Sequence, residues 1–314
     1  MIKRKLVHLV RRVNGTNQII GSLADLKKYL EESSPRDEIS NAKTDFDPSV
    51  ILRNVILASD STSYFNCNLN GFSCWLPTET LRTMIHCVTL SNESINVLVE
   101  TAHIEWMMDR IEEGQGERLF IDVGAATGAA TLPIALKFNE KVKIVAFEPA
   151  IAALRLLNGT LEKNNITGIE VAPSVVGDSV GNVRFIEYQE DPTGNCPFLP
   201  EASTISHPGA MPGDERDVPQ TTLDYYFKNY TTKHAGVAER VVIKIDVEGF
   251  EVQVLRGALE LILRYRPYFS IDIHQSVDGS GMTTESACRQ ILGNCGYGFQ
   301  VMGHVLLCSP DMEA

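Results

Sequence analysis

The 314-residue chain is long enough for one sizeable α/β domain plus an extension, and its composition is ordinary for a soluble globular protein. Its net charge of −12 argues against a nucleic-acid partner, since phosphate binding needs a basic surface. No apolar run reaches the roughly 18 residues that a membrane span requires.

The cysteines and the N-terminus indicate a cytoplasmic protein. The seven cysteines are odd in number and contain no C-x-x-C pair, which is typical of reduced, mostly buried thiols. Residues 1–12 are basic but lack the long apolar stretch and cleavage site of a signal peptide. We expect a solvated first strand or helix there rather than a membrane contact. Leu23–Glu32 has the pattern of a helix with Ser22 as its cap.

Residues 1–90 are predicted to form an N-terminal extension, and residues 91–314 the main domain. In the extension, residues 63–77 alternate loosely about Asn70-Gly71, the signal of a hairpin with a type I′ turn. Cys67 and Cys74 lie symmetrically about that turn and are predicted cross-strand neighbours. A disulfide could join them, but two thiols are expected in a reducing compartment.

The main domain is predicted to begin with an amphipathic helix over Glu93–Glu113. A strand over Leu119–Val123, the small-residue turn 124–128, a helix from near Ala129 and a second strand over Val142–Phe147 follow. This is one βαβ unit, whose crossover should be right-handed. Its small residues would let backbone approach a ligand, and its helix N-terminus offers unpaired N–H donors.

Two acids mark this unit as a nucleoside site. Glu148 closes the second strand about 20 residues after the turn, where a carboxylate usually binds ribose hydroxyls. The turn itself reads Asp122-x-Gly124-x-Ala126-x-Gly128, whereas a nicotinamide-binding turn reads G-x-G-x-x-G and holds a pyrophosphate. An acid there would repel a pyrophosphate but suits S-adenosylmethionine, which carries positive charge and no phosphate. A tight turn without a ligand would explain the glycines but not the paired acids.

The remaining elements alternate between helices and strands. They are a helix over Ala150–Asn164, strands over Ile169–Val176 and Val183–Tyr188, a helix over Thr222–Asn229, a strand over Val241–Asp246, a helix over Phe250–Arg264, a strand over Tyr268–Ile273, a helix over Thr284–Cys295, and strands over Tyr297–Met302 and His304–Cys308. The predicted fold class is α/β, a Rossmann-like, doubly wound seven-stranded sheet, mostly parallel with an antiparallel last strand. Residues 189–220, rich in Pro, Gly, Ser and Asp, are predicted to be irregular, either a substrate-side lid or a surface loop.

A second group of polar residues lies in the strands after the turn. Lys244 interrupts an apolar strand on the same side as Asp246, and a buried lysine needs Asp246 or Glu248 as a partner. Asp246 and His274 end neighbouring strands at the edge where open α/β sheets bind ligands. An ion pair that only neutralises itself, or a structural histidine, would also fit. Asp246 and His274 could hold a divalent ion, but their spacing is a weak metal signal, and we predict no metal.

The motifs, taken in order, resemble the FkbM-type methyltransferases, class I enzymes that use S-adenosylmethionine and are associated with O-methylation. The matching pieces are FIDVGAATG, AFEP, GD at 177–178, TTLD at 221–224, IKIDVEGFE, VLRGA at 254–258 and IDIH. They cover roughly residues 115–275. This chain has Ala126 where the family usually has asparagine, and Asp272 where the family usually has the glutamate of Glu-x-His.

The resemblance implies a role for each binding residue. Asp122 and the turn 124–128 would hold the methionine portion of S-adenosylmethionine, Glu148 the ribose and Asp178 the adenine amino group. Asp246 is also expected to face the charge of the cofactor.

Catalysis is assigned to the strand ends. His274 and Asp246 are the candidate bases, with Lys244 beside them, for methylation of a hydroxyl on a sugar, lipid or secondary metabolite. The alternatives are a nicotinamide-dependent oxidoreductase and a catalytically inactive cofactor-binding module. The acceptor and the oligomeric state cannot be predicted from the sequence.

Overall fold

The computed structural model describes residues 48–59, 63–91, 94–187, 204–205, 213–233, 238–274 and 282–310. The chain divides after Val99 into two compact units, while the predicted boundary between residues 90 and 91 stays a prediction. The predicted helix Leu23–Glu32 lies outside the described residues. Within these residues, no helix has the length and apolar character needed to cross a membrane. The predicted cytoplasmic location stays a prediction.

The first unit contains a four-stranded sheet with the strand order β2-β1-β4-β3. β1 pairs antiparallel with β2 and parallel with β4, and β3 pairs antiparallel with β4. The elements are α1 (Pro48–Ala58), β1 (Tyr64–Leu69), β2 (Phe72–Pro77), α2 (Thr78–Thr83), β3 (Val88–Ser91) and β4 (Ser94–Val97).

The predicted hairpin is confirmed. Asn70 and Gly71 connect β1 to β2 with φ angles of 47° and 94°, and a type I′ turn needs a positive φ at both central residues. Cys67 and Cys74 are register partners across the two strands. Both are buried and carry free thiols, as predicted, and burial raises the pKa of the Cys74 thiol to about 12.

The predicted helix over Glu93–Glu113 is wrong in its first third. Residues 94–97 form β4, which pairs with β1 and β3 of the first unit. In the second unit, α3 (Thr101–Glu112) begins only after Glu100, which is in the left-handed conformation with a φ of 48°. The apolar spacing of the segment fits a helix, but the sheet pairing available to residues 94–97 overrides it.

The second unit is built on a seven-stranded sheet with the order β14-β15-β13-β12-β5-β6-β7. β15 runs antiparallel to β13 and β14, and the pairs from β13 to β7 are parallel. The predicted α/β class with a mostly parallel seven-stranded sheet is therefore confirmed. The strands are β5 (Arg118–Val123), β6 (Lys143–Phe147), β7 (Ile169–Ala172), β12 (Arg240–Ile245), β13 (Tyr268–Asp272), β14 (Gly298–Met302) and β15 (Val305–Ser309).

The two central strands, β5 and β12, are neighbours at the point where the strand order reverses. From β5 the chain continues outward to β6 and β7, whereas β12 and β13 continue on the other side. Both strands are buried from their second residue to their last, as central parallel strands usually are, and each includes one charged residue, Asp122 in β5 and Lys244 in β12. In such sheets the carboxyl ends at this switch point form the ligand-binding edge. The helices are α3, α4 (Thr131–Phe138), α5 (Ile151–Lys163), α6 (Leu223–Lys233), α7 (Glu251–Arg256), α8 (Leu259–Tyr265) and α9 (Thr284–Asn294).

The second unit also contains a small separate sheet, which includes the end of the predicted strand Ile169–Val176. The predicted strand Ile169–Val176 is divided at Pro173, because proline has no N–H to donate to a sheet. β7 stays in the large sheet, and β8 (Val175–Val176) pairs with β11 (Asp214–Thr221). β11 also pairs along β9 (Gly181–Glu187).

The predicted irregular stretch 189–220 is therefore wrong at its C-terminal end. β11 occupies residues 214–221, and β10 (Thr204–Ile205) pairs with β9. β11 is rich in charged residues, so its sequence does not show an obvious strand pattern. Its side chains nevertheless alternate between buried and exposed, with Val218 and Gln220 buried. Residues 189–203 and 206–212 lie outside the described residues, so the lid stays a prediction.

The predicted helix Phe250–Arg264 is two helices, α7 and α8, that meet at Gly257. A side chain at Gly257 would place its Cβ 1.9 Å from the carbonyl oxygen of Gly177. The Asp224 carboxylate accepts hydrogen bonds from the first N–H groups of α8, at Glu260 (3.0 Å) and Leu261 (2.7 Å). The aspartate of the TTLD motif therefore caps a helix.

Candidate active site

The small-residue turn lies between β5 and α4, and its first glycine is required by a neighbouring strand. Gly124 has a φ of 81°, and a Cβ there would lie 1.7 Å from the backbone oxygen of Asp246. The Asp246 N–H in turn donates to the Val123 carbonyl at 2.9 Å. The sequence prediction attributed the small residues to the approach of a ligand, whereas at Gly124 the close neighbour is the backbone that follows β12. Gly128 also has a positive φ, 96°.

Glu148 is held rigidly beside this turn. Its Oε2 accepts a hydrogen bond from the Ala126 N–H at 2.8 Å, and its Oε1 accepts one from the Ala150 N–H at 2.7 Å. The side chain is 6% exposed. Burial raises the pKa of Glu148 to about 7, although the two backbone hydrogen bonds oppose the shift. Each carboxylate oxygen keeps a lone pair with which it can accept a hydrogen bond from a hydroxyl group.

Ala126 adopts a conformation that its side chain does not favour. Its φ of 47° lies in the left-handed region, where asparagine is several-fold enriched over other non-glycine residues. The family's usual asparagine at this position therefore has a backbone reason, besides any contact of its side chain.

Replacing Ala126 with asparagine is expected to raise the free energy of unfolding by about 0.5–1 kcal/mol, because it relieves part of the left-handed strain. Urea denaturation of the two proteins measures this difference. Ala135→Asn, on the buried part of α4, is the contrasting variant and should lower the free energy of unfolding. A loss of stability in Ala126→Asn would show that the alanine side chain is needed where it is.

Asp122, Lys244 and Asp246 form a row of charges under the turn. Lys244 Nζ lies 3.0 Å from Asp246 Oδ2 and 3.6 Å from Asp122 Oδ1, and the Thr131 hydroxyl donates to Asp122 Oδ2 at 2.6 Å. Burial opposes the charge on Lys244, but the surrounding carboxylates outweigh it and raise the pKa of the lysine. Asp246 is thus confirmed as the partner of Lys244, and Asp122, its register neighbour on β5, is an additional one.

Asp122 itself is fully buried. Its complete burial raises the pKa of the carboxyl, while Lys244 and Thr131 act in the opposite direction. Asp122 therefore lies beneath the turn, and its predicted contact with the methionine portion of the cofactor stays a prediction.

His274 follows β13 and faces three carboxylates. Its Nδ1 lies 2.8 Å from Glu251 Oε1, and its Nε2 lies 3.5 Å from Glu248 Oε2 and 3.9 Å from Asp246 Oδ1. Burial disfavours charge on the ring, but the hydrogen bond to Glu251 and the nearby carboxylates raise the pKa of His274 to about 9. At neutral pH both ring nitrogens of His274 are therefore protonated, and the ring must lose one of these protons before it can act as a base.

The structure connects Asp122, Lys244, Asp246 and His274 in one series of ion-pair distances. Asp178 is exposed, just after β8, and its predicted contact with adenine stays a prediction. Asp272, the shorter acid of the Asp-x-His motif, has its Oδ2 3.3 Å from Nε2 of His304.

Sequence reasoning missed two residues of this site. Thr131 holds Asp122 from the first position of α4, and the fully buried Glu251 orients His274 from the first position of α7. Glu251 belongs to the motif IKIDVEGFE, but its partner His274 lies 23 residues away, just after β13. No local pattern joins the two.

The fold and the site together define a methyltransferase-like α/β protein. The sequence-family model of the methyltransferase FkbM domain matches residues 122–299. This match covers more than half of the chain, which belongs to the FkbM methyltransferase family, as its motifs predicted.

Two related sequences carry methyltransferase names. Methyltransferase 1 of Beauveria bassiana is 25% identical over 177 residues, which are 53% of this chain and 70% of the relative. Methyltransferase sdnD of Sordaria araneosa is 29% identical over 157 residues, 45% of this chain and 60% of the relative.

Among solved structures, the methyltransferase FkbM of Methylobacillus flagellatus is similar with a TM-score of 0.39 and 17% identity. The similarity covers 62% of this chain but only 43% of the bacterial protein, so the chain spans less than half of that protein's length.

Proposed function

We propose that this protein transfers a methyl group from S-adenosylmethionine to a hydroxyl of a sugar, a lipid or a secondary metabolite. The observation that carries the proposal is the Glu148 carboxylate, which two backbone N–H groups hold beside the turn 124–128. Such a carboxylate at the end of the second strand suits the two hydroxyls of a ribose.

The charges under the turn favour this cofactor over a nicotinamide dinucleotide. Asp122 and Asp246 flank the single ammonium of Lys244, so the row carries net negative charge. Negative charge beneath the turn opposes the binding of a pyrophosphate but attracts the ammonium and sulfonium of S-adenosylmethionine. This is the physical argument against the oxidoreductase alternative.

The chain contributes mainly binding and orientation to the reaction. When bound, S-adenosylmethionine supplies an electrophilic methyl group, and its displacement by an oxygen is governed largely by positioning. Glu148 would hold the ribose, and the residues at the ends of β12 and β13 would face the acceptor. Asp246 and His274 would orient the hydroxyl and remove its proton.

Cofactor binding tests the proposal. In isothermal titration, we expect S-adenosylhomocysteine to bind with a Kd of about 1–10 μM, a free energy near −7 to −8 kcal/mol, and NAD to give no heat. Tighter binding of NAD would overturn the proposal. Binding of S-adenosylhomocysteine without methylation of any member of a broad panel of hydroxyl acceptors would favour the inactive binding module.

The affinity for S-adenosylhomocysteine should depend on pH through Glu148. The ribose hydroxyls donate to the carboxylate, so they need its deprotonated form, which predominates only above the pKa of about 7. Affinity should therefore rise about tenfold between pH 6 and pH 8. Glu148→Ala should bind more weakly by about 1.5–3 kcal/mol and show a flat profile over this range. An equally steep profile in the variant would place the titrating group elsewhere.

A further inference from the structure

Three side chains with metal-ligand atoms converge at the carboxyl edge of the large sheet. Asp246 and Glu248 follow β12, and His274 follows β13. Their ligand atoms all lie within 4.8 Å of one another, and His274 Nε2 is 3.5 Å from Glu248 Oε2 and 3.9 Å from Asp246 Oδ1. These separations are too long for strong hydrogen bonds. Two ligand atoms about 2.1–2.3 Å from one ion are 3.5–3.9 Å apart when the angle between them at the ion is roughly 100–135°, so both separations fit a shared ion.

The other polar atoms of two of these residues already have partners. Nδ1 of His274 is paired with Glu251, which leaves Nε2 on the side of the two carboxylates. Oδ2 of Asp246 is paired with Lys244, while Oδ1 is the oxygen nearer to His274. A histidine whose second nitrogen is held by a carboxylate is the usual arrangement of a metal ligand, since the carboxylate fixes the tautomer and the ring orientation.

Glu251 supplies an independent observation. Its side chain is fully buried next to His274, and its Oε2 has no hydrogen-bond partner within the described part of the chain. A buried carboxylate with an unsatisfied oxygen is costly unless a cation compensates its charge. Lys244 cannot neutralise the whole group, because its ammonium is shared between Asp246 and Asp122, and a protonated His274 adds only one positive charge beside Asp246, Glu248 and Glu251. The edge therefore has an excess of negative charge that a bound cation would balance.

We propose that Asp246, Glu248 and His274 bind one divalent cation, with Glu251 as the residue that positions His274. Two carboxylates and one imidazole favour Mn²⁺ or Zn²⁺ over the all-oxygen ions Mg²⁺ and Ca²⁺. This site replaces the sequence prediction of no metal, because the structure adds Glu248 and Glu251 to the two scattered ligands that the sequence offered.

The role of the cation rests on the proposed function, whereas its binding does not. A cation at this edge would coordinate the acceptor hydroxyl and lower its pKa. Because the cation would occupy Nε2 of His274 and Oδ1 of Asp246, the hydroxyl proton would leave to solvent instead of to these side chains, and the oxygen would form the new bond to the methyl carbon. The carbon–sulfur bond would break, with its electron pair returning to sulfur.

A titration of the full-length protein with MnCl₂, after chelation and buffer exchange, tests the site without cofactor or acceptor. Loss of the free Mn²⁺ signal in electron paramagnetic resonance should show one ion per chain. Glu248→Gln and His274→Gln should each weaken binding at least tenfold, and Glu251→Gln by about 10–100-fold, as for residues that orient a ligand. No saturable binding, or equal binding by Glu248→Gln with a native circular dichroism spectrum, would overturn the proposal.

A second cluster in the chain gives the matched control. Glu100, Asp272 and His304 also bring ligand atoms together, but His304 is exposed and Glu100 is paired with His103 at 2.9 Å. His304→Ala should therefore leave Mn²⁺ binding unchanged, and weakened binding in this variant would contradict the assignment to the edge of β12 and β13. S-adenosylhomocysteine binding, measured on the same metal-free sample, reports separately on the proposed function.

Discussion

Replacing Lys244 with methionine is expected to lower the free energy of unfolding by about 3–5 kcal/mol, the usual effect of removing one partner of a buried ion pair. The change leaves the Asp122 carboxylate uncompensated in a fully buried position, and Asp246 loses its partner at 3.0 Å. For a domain of this size the melting temperature should fall by roughly 6–20 °C. Chemical and thermal denaturation measure the two quantities.

A double-mutant cycle separates the charge from the packing. Lys244→Met combined with Asp122→Asn should be more stable than the lysine variant alone, because the buried charge is then absent. Glu285→Gln, which removes a helix-surface pair with Arg289, should cost less than about 1 kcal/mol. If the Lys244→Met variant has the same melting temperature as the unchanged protein, the row of charges contributes nothing to stability.

Replacing His274 with alanine is expected to lower kcat by about 10²–10⁴-fold, while the affinity for S-adenosylhomocysteine stays within about twofold. The ring lies at the end of β13, with its Nε2 facing Asp246 and Glu248, and Glu148 and the turn 124–128 keep the proposed cofactor contacts. Steady-state kinetics on an acceptor found in the panel screen, together with isothermal titration, separate the two effects.

Glu251 gives the variant that distinguishes orientation from chemistry. Glu251→Gln keeps the size of the side chain but removes the charge behind Nδ1 of His274. Turnover should fall about 10–100-fold, less than in His274→Ala, because the ring is present but less firmly oriented. Full turnover in His274→Ala would make the histidine structural and would place the proton acceptor elsewhere.

Local patterns were sufficient where a few neighbouring residues dictate the structure. Asn70-Gly71 predicted the hairpin and its register, because two consecutive positive φ angles suit this dipeptide. The run Leu119–Val123 followed by 124–128 predicted a strand and a turn, and the structure has β5 and the turn there. The charge of Lys244 in an apolar strand predicted its pairing with Asp246 or Glu248, since an unpaired buried ammonium is too costly, and the structure shows the pair with Asp246.

The predictions failed where a distant backbone competes with a local pattern. Residues 94–97 have helical spacing, yet they pair with two strands of the first sheet. Residues 250–264 have the periodicity of one helix, yet the carbonyl of Gly177 and the carboxylate of Asp224 break it at Gly257. β1, Gly177 and Asp224 each lie at least 25 residues before the segment that they change, and none of them can be read from the residues of that segment.

The sequence by itself determined the α/β class, the position of the small-residue turn and the choice of the candidate site residues Asp122, Glu148, Lys244, Asp246 and His274, because each depends on residue type at short spacing. Only the tertiary structure decided what these residues face. Parallel pairing sets Lys244 beside Asp122, and the approach of α7 to the end of β13 sets the buried Glu251 against His274. The charge of each group at this edge depends on its neighbours through space, so its chemistry follows from strands that are distant in sequence and adjacent in the sheet.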